Sequence, residues 1–173
     1  GNRQDYWIPA MGNVDMPTAN GTELWPNNYC IGEASCALGV HLIDRIDEIN
    51  LEKRQRAIKL IDSLKDCEEL EFHRVDSRRH NYHLLVARIR NGWRDLFIRR
   101  MATNYSIQCV VQYYPLYNYP FYKKLGLFSN SCPNTDKFFS SMISFPFHHS
   151  LREPELTRIL QASYEVVEVL RKE

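Results

Sequence analysis

The sequence predicts an α+β fold in which a small, mostly antiparallel sheet is covered by helices on one side. Two long stretches, one following the first 30 residues and one at the carboxyl end, have apolar residues at every third or fourth position, the period of an amphipathic helix. Between them lie short runs rich in β-branched and aromatic residues, such as LLVARI and ISFPF. Hydrophobic residues make up 44% of the chain and charged residues 25%, as in ordinary globular domains.

Residues 1–26 have no sustained period and contain three prolines and three glycines. We expect an irregular arm or linker there. Large apolar side chains such as Trp7 and Trp25 are costly to leave in water, which favours an arm that packs on a partner surface. A disordered tail is the alternative, because the segment is rich in Asn and Gly.

The first helical stretch begins near Glu33, and its apolar positions extend to Leu64. These positions are Ala34, Leu38, Leu42, Ile46, Ile49, Ala57, Leu60, Ile61 and Leu64. The pattern predicts either one long kinked helix or two consecutive helices, with the break near Asn50.

The rest of the chain alternates between short strands and helices. LLVARI predicts a strand over residues 81–89, which the Asn91-Gly92 turn ends. The following elements are a short helix around Leu96 to Met101, a strand over 107–113, a helix over 135–142 with Asn134 or Thr135 as N-cap, a strand at ISFPF, and a last helix starting near Pro154.

The net charge of +1 gives no electrostatic reason to expect a nucleic-acid or anionic-membrane partner. A weaker alternative is an RNA-binding module built on scattered arginines with interleaved aromatics: Arg78, Arg79, Arg88, Arg90, Arg94, Arg99 and Arg100. No apolar run approaches the roughly 20 residues that cross a bilayer, and the first residues lack a signal-peptide pattern. We therefore expect a cytoplasmic protein with no membrane partner.

The five cysteines are odd in number and scattered, which argues against a disulfide framework and suits a reducing compartment. The histidines are scattered as well. His80 and His83 are close in sequence but would point to opposite faces of the predicted strand, so we expect no metal site.

Residues 109–126, CVVQYYPLYNYPFYKKLG, join an apolar strand to a loop rich in tyrosine. Pro115 and Pro120 stop ladder pairing and fix a loop after the strand. The tyrosines offer flat apolar faces with hydroxyl tips: Tyr113, Tyr114, Tyr117, Tyr119 and Tyr122. Such a cluster is typical of a ligand cleft or a protein interface, and a tyrosine-rich edge loop without a ligand is the alternative.

Three blocks in order resemble the DegT/DnrJ/EryC1/StrS family of sugar aminotransferases, which depend on pyridoxal phosphate. The family frame of histidine, tyrosine, any residue, proline and leucine is similar to QYYPL at 112–116, followed by PFYKKLG. Residues 27–57 resemble the family's Asn-Tyr-Arg turn and the helix after it, and residues 132–156 resemble its closing helix and Ser-Phe-Pro strand.

The resemblance implies the small C-terminal domain of an aminotransferase with the aspartate-aminotransferase fold. Residues 27–173 would form that domain, and residues 1–26 would be an arm from a large domain outside this chain. The parent protein would move an amino group from an amino-acid donor to a nucleotide-linked keto sugar, for cell-surface polysaccharide or amino-sugar synthesis, and would be a homodimer. In the family the Schiff-base lysine and the acid that pairs with the cofactor lie in the large domain. We therefore expect no catalytic residue in this chain and no activity from it alone.

The resemblance assigns Asn28 to the cofactor phosphate of the neighbouring subunit, although Asn28 could instead only cap the helix that begins near Gly32. It assigns the substrate entrance to Gln112, Tyr113, Tyr114 and Tyr117. Strand alternation would place Gln112 and Tyr114 on one face and Tyr113 on the other, which favours the first two.

Two positions depart from the family pattern. Cys30 replaces an arginine, and Gln112 replaces a histidine. Glutamine can hydrogen-bond a sugar hydroxyl or a phosphate but does not titrate near neutral pH, so an acid-base role is lost at this position. These departures leave open an alternative, a non-catalytic binding or dimerisation module with the same fold.

Overall fold

The computed structural model describes residues 31–73, 75–76, 78–126 and 132–173. Over these residues the fold is α+β with an antiparallel sheet, which confirms the predicted class. In chain order the elements are α1 (Glu33–Ile43), α2 (Ile46–Ser63), β1 (Leu70–Phe72), β2 (Leu85–Ile89), α3 (Arg94–Tyr105), a 3₁₀ turn (Leu116–Asn118), α4 (Pro120–Lys124), α5 (Pro133–Phe139), β3 (Met142–Phe145) and α6 (Glu153–Leu170).

The sheet has the order β1-β2-β3, with β2 in the centre. Leu85 lies opposite Phe145 and Ala87 opposite Ile143, so these buried residues share one face of the sheet. Helix α3 packs on that face, where the ring of Phe97 meets Phe145 edge-on at 6.3 Å between centroids. Helix α6 packs in turn on α3 and α2, which encloses the core.

Helix α6 begins one residue before Pro154, as the sequence predicts, because proline tolerates the first helical turn. The Glu155 side chain accepts a hydrogen bond of 2.8 Å from the backbone N–H of Arg152, which satisfies a donor before the helix. The apolar stripe predicted for this helix is buried, and it includes Leu156, Ile159 and Val166.

The first helical stretch breaks at Asp44–Arg45 rather than near Asn50, which lies inside α2. The N–H of Arg45 donates to the carbonyl of Leu42 at 3.1 Å, a short-range bond that closes α1. Asp47 and Glu48 then stand in the first turn of α2, where negative charge favours a new helix. The apolar period continues across the break and therefore hides it.

Two differences concern the strands before α3. Strand β1 was absent from the prediction, because its three residues are too few to show a period. Strand β2 begins at Leu85 rather than at residue 81. The Asn81 side-chain oxygen accepts a hydrogen bond of 3.0 Å from the N–H of His83, and Tyr82 has a φ of 48°. This part of the predicted strand therefore forms a turn.

The strand predicted over 107–113 is wrong in extent. Only Val110 pairs with β3, exchanging two hydrogen bonds of 3.0 and 2.7 Å with Ser144. Cys109 and Val111 are buried, so the run is apolar as predicted, but Pro115 and the 3₁₀ turn after it take the chain out of the sheet.

Helix α5 covers 133–139 rather than 135–142, with Cys132 at the N-cap position instead of Asn134 or Thr135. Pro133 provides a fixed φ for its first turn. Its half-buried Phe138 contacts the ring of His73 at 5.0 Å between centroids. Because His73 directly follows β1, this contact brings the end of α5 beside the outer strand of the sheet.

Candidate functional site

The candidate site is the tyrosine loop, residues 112–126, which leaves the sheet beyond Val111. The buried Pro115 precedes the 3₁₀ turn, and Pro120 starts helix α4. Both prolines fix φ where the chain changes direction, so the loop follows a defined path rather than a strand. The loop therefore presents its aromatic side chains beside α5.

Tyr114 lies in an aromatic cluster that attaches the loop to the domain. Its ring meets Tyr119 edge-on at 5.1 Å and Phe139 of α5 edge-on at 5.4 Å. The Arg94 guanidinium lies 5.5 Å from the Phe139 ring centroid, and its Nη1 donates to the Phe139 carbonyl at 2.6 Å. The cluster thus holds Tyr114 in place from both sides.

Tyr117 is oriented by a carboxylate. Its hydroxyl donates a hydrogen bond to Oδ1 of Asp136 on α5, and this bond raises the pKa of Tyr117 to about 12. The phenol is therefore neutral at physiological pH.

Gln112 and Tyr113 differ from the packed tyrosines. The Gln112 side chain is half-buried, and its amide makes no hydrogen bond within the part of the chain that the structure describes. Tyr113 has 63% of its surface exposed. Because no strand extends through these residues, the alternation that grouped Gln112 with Tyr114 does not apply.

The structure therefore divides the predicted residues into two sets, with Tyr114 and Tyr117 held by α5 and Gln112 and Tyr113 accessible. Asn28 lies outside the described residues. Sequence reasoning missed three residues that shape the site: Arg94, Asp136 and Phe139. The pair Phe138-Phe139 could have indicated such a contact. A helix as short as α5 cannot bury two adjacent aromatic rings unless a neighbouring element packs against them.

Six of the seven lysines in the chain are exposed. Lys53 is the exception, because it is half-buried on α2 and burial lowers its pKa. It does not line the tyrosine loop or the cavities described below. Lys59, which lies over a small cleft beside α6, is exposed and paired with Glu153. The described residues thus present no buried lysine in a cavity, as a Schiff-base site would require.

A cavity of about 320 Å³ opens at the other end of the sheet, beside the turn before β2. His80 and His83 both line it, so their predicted placement on opposite faces of a strand is wrong. Within the described ranges no group of three metal-ligating side chains comes together. The cysteines there, Cys36, Cys67, Cys109 and Cys132, are free thiols, and burial raises the pKa of Cys109.

The layered arrangement of this sheet and its helices is that of known aminotransferases. The chain aligns with the aminotransferase from Psychrobacter cryohalolentis at a TM-score of 0.74 and 19% identity, over 90% of this chain and 44% of that one. It aligns with NtdA from Bacillus subtilis, solved with bound cofactor PMP, at a TM-score of 0.69 and 16% identity, over 87% and 36% of the two chains.

The sequence profile of the DegT/DnrJ/EryC1/StrS aminotransferase family matches residues 10–163, and the chain belongs to this family. A curated relative is the UDP-4-amino-4,6-dideoxy-N-acetyl-beta-L-altrosamine transaminase of Campylobacter jejuni, which is 27% identical over 153 residues. That match covers 84% of this chain and 39% of the relative, so the chain spans about two fifths of the length of the relative. Among the described helices, none has the length and apolar character needed to span a bilayer.

Proposed function

We propose that this chain is the C-terminal small domain of a nucleotide-sugar aminotransferase that depends on pyridoxal phosphate. The observation that carries the proposal is the family match over residues 10–163, which includes the tyrosine loop. The parent protein would transfer an amino group from an amino-acid donor to a nucleotide-linked keto sugar in the cytoplasm. The chain alone would be inactive.

The domain boundaries belong to the same proposal. Residues 1–26 are the arm from the large domain, and residues 27–173 form the small domain. Helix α1 supports this division, because it buries none of its residues and exposes Leu38, Val40, Leu42 and Ile43. Such an apolar surface calls for a covering partner, and we assign the large domain of a homodimeric parent protein to it.

The cofactor is held mainly by the large domain, with Asn28 donating from its side-chain amide to the phosphate of the neighbouring subunit's cofactor. Pyridoxal phosphate supplies the electron sink for amino-group transfer. The accessible lysines in the described residues give no reason to place its attachment point in this chain.

Gln112, Tyr113, Tyr114 and Tyr117 form the wall of the substrate entrance that this chain contributes. The unpartnered amide of Gln112 hydrogen-bonds a sugar hydroxyl or phosphate oxygen, and exposed Tyr113 stacks on the sugar or base. Tyr114 and Tyr117 support this wall, since α5 fixes both. A non-catalytic module of the same fold is the second candidate, and the replaced residues Cys30 and Gln112 are the observation that favours it.

The test is steady-state kinetics of the parent protein with a UDP-linked 4-keto sugar and L-glutamate. In a Gln112→Ala variant the KM for the keto sugar should rise at least about tenfold, the cost of one lost hydrogen bond to a polar ligand. The conversion of glutamate in the absence of sugar should not change. Gln108→Ala, which removes an exposed glutamine four residues earlier, is the matched control and should behave as the unaltered protein.

Absence of amino transfer to any nucleotide-linked keto sugar would contradict the proposed activity and favour the non-catalytic module. Transfer with an unchanged KM in Gln112→Ala would contradict the role of Gln112 alone.

A further inference from the structure

A second cavity, of about 360 Å³, lies between the turn after β2 and the turn after α5. Its lining contains three basic side chains. Arg88 and Arg90 contribute from β2 and the residue after it, and Lys137 contributes from α5. The remaining lining residues are Ile89, Asn91, Gly92, Ser140 and Ser141.

The charge of this cavity is only partly compensated. Glu71 on β1 stands 3.6 Å from Nη1 of Arg88 and 3.6 Å from Nη2 of Arg90. These distances are too long for hydrogen bonds, so the guanidinium N–H groups facing Glu71 keep their donor capacity. Lys137 is exposed and makes no ion pair with any residue that the structure describes. Three cations therefore face one carboxylate.

Arg88 is positioned rather than mobile. Its Nε donates to Oγ of Ser141 at 3.0 Å, and only 29% of its side chain is exposed. The hydroxyl of Ser141 donates onward to the Lys137 carbonyl at 3.2 Å, and the hydroxyl of Ser140 donates to the same carbonyl at 2.9 Å. The serines thus form the rim of the cavity and hold its arginine, while the free donors come from the cations.

The backbone adds two further donors. Asn91 and Gly92 have φ values of 61° and 71° and occupy the centre of a tight turn, which the Trp93 N–H closes onto the Arg90 carbonyl at 3.2 Å. Their own N–H groups make no hydrogen bond within the described residues. Adjacent unpaired N–H groups in a tight turn are a recurrent element of anion sites.

We propose that this cavity binds a phosphoryl group, and that its ligand in the parent protein is the diphosphate of the nucleotide-linked sugar. Arginine forks, a lysine and two backbone donors match the several oxygens and double charge of a phosphoryl group better than a carboxylate. Helix α5 joins the cavity to the tyrosine loop, because its Lys137 lines the cavity while Asp136 and Phe139 contact Tyr117 and Tyr114. One extended ligand would then reach from the cavity to the tyrosine loop. The assignment to the substrate diphosphate rests on the function proposed above, whereas phosphoryl binding does not.

The first experiment is calorimetric titration of the full 173-residue chain with inorganic pyrophosphate, inorganic phosphate and L-glutamate at low ionic strength. Pyrophosphate should bind most tightly and glutamate least. Arg90→Gln combined with Lys137→Gln should weaken pyrophosphate binding at least about tenfold, because these two exposed cations are lost without opening the core. Lys65→Gln combined with Lys172→Gln, which removes two exposed lysines outside the cavity, is the charge-matched control and should change the affinity less than twofold.

Equal affinity in the double variant and in the unaltered chain would overturn the site, and so would tighter binding of glutamate than of pyrophosphate. The second experiment is kinetic and uses the parent protein. Lys137→Gln should raise the KM for the nucleotide-linked sugar and leave glutamate conversion unchanged. If pyrophosphate binding depends on these residues but the KM does not, the assignment to the substrate diphosphate is overturned. A parent protein without aminotransferase activity would contradict the proposed function, whereas phosphoryl binding by the cavity would still be decided by the pyrophosphate titration.

Discussion

Helices α6 and α1 both carry many apolar residues, but only α6 buries them against other described elements. Helix α6 buries seven residues against α2 and α3, from Leu156 to Leu170. Helix α1 buries none, and 58% of Leu38 and 70% of Ile43 are exposed. Sequence alone does not distinguish them, because both carry apolar residues at helical spacing. The difference teaches that α6 belongs to the core of this domain, whereas α1 leaves an apolar surface uncovered by the other described elements.

Truncation of a core residue is expected to separate the two helices most clearly. Ile159→Ala in α6 should lower the free energy of unfolding by about 2–5 kcal/mol, because it leaves a cavity in the packed core. The matched change Leu42→Ala in α1 should cost less than about 0.5 kcal/mol in the same chain, as expected for an exposed position. Urea unfolding followed by circular dichroism measures both. A large loss in Leu42→Ala would show that α1 already has a partner within the chain.

The end of α6 is fixed by an ion pair between exposed Arg171 and nearly buried Glu69. Nε and Nη2 of Arg171 donate to the two oxygens of Glu69 at 2.8 and 2.7 Å, and this pairing lowers the pKa of Glu69. Glu69→Gln should lower the free energy of unfolding by about 1–3 kcal/mol at neutral pH. Glu168→Gln, which removes the exposed partner of the same arginine, should cost about 0–0.5 kcal/mol.

The pH dependence of this pair has a defined sign. Because the pKa of Glu69 is lower in the folded state, its contribution is fully present above the unfolded value of about 4.3 and is lost as the pH falls through the folded value. The difference between Glu69→Gln and the unaltered chain should therefore shrink in acid. A constant difference from pH 7 down to pH 3 would contradict this account.

Substitution of two buried serines, one in the sheet and one in α6, should change the free energy of unfolding only slightly and in different directions. Ser163 in α6 donates its hydroxyl to the Ile159 carbonyl at 2.7 Å, so Ser163→Ala should cost about 0.5–1.5 kcal/mol. Ser144 in β3 is buried, and its Oγ has no hydrogen-bond partner among the described residues. Ser144→Ala should therefore be neutral or stabilising by up to about 1 kcal/mol. Thermal unfolding of the two variants side by side distinguishes these outcomes, and equal losses would argue that Ser144 has a partner.

Elements that depend on a pattern of apolar residues could be predicted from the sequence. Element boundaries that depend on a single hydrogen bond or a single strand pairing could not. Helices α3 and α6 and strands β2 and β3 were located from their apolar patterns. The break between α1 and α2 was not, because one hydrogen bond from Arg45 makes it while the apolar spacing continues. Strand β1 is three residues long and is a strand only because it pairs with β2. The local sequence of β1 does not predict this pairing.

The tyrosine loop shows the same limit within the site. Its composition and its two prolines correctly indicated a surface loop, and the family resemblance is confirmed by the match over residues 10–163. The division between packed Tyr114 and exposed Tyr113 depends on Phe139, which arrives from a helix 25 residues further along the chain. Periodicity within the loop contains no information about such a contact. The roles of Asn28, Gln112 and the tyrosines stay predictions.

The most direct test of the contrast between α1 and α6 is hydrogen exchange measured in the 173-residue chain and in the parent protein. We expect amides of α1 to exchange at least about tenfold more slowly in the parent protein, where the proposed large domain would cover the exposed face. Amides of α6 should exchange at the same rate in both. Unprotected α1 amides in the parent protein would contradict the account, because the apolar face of α1 would then have no partner there.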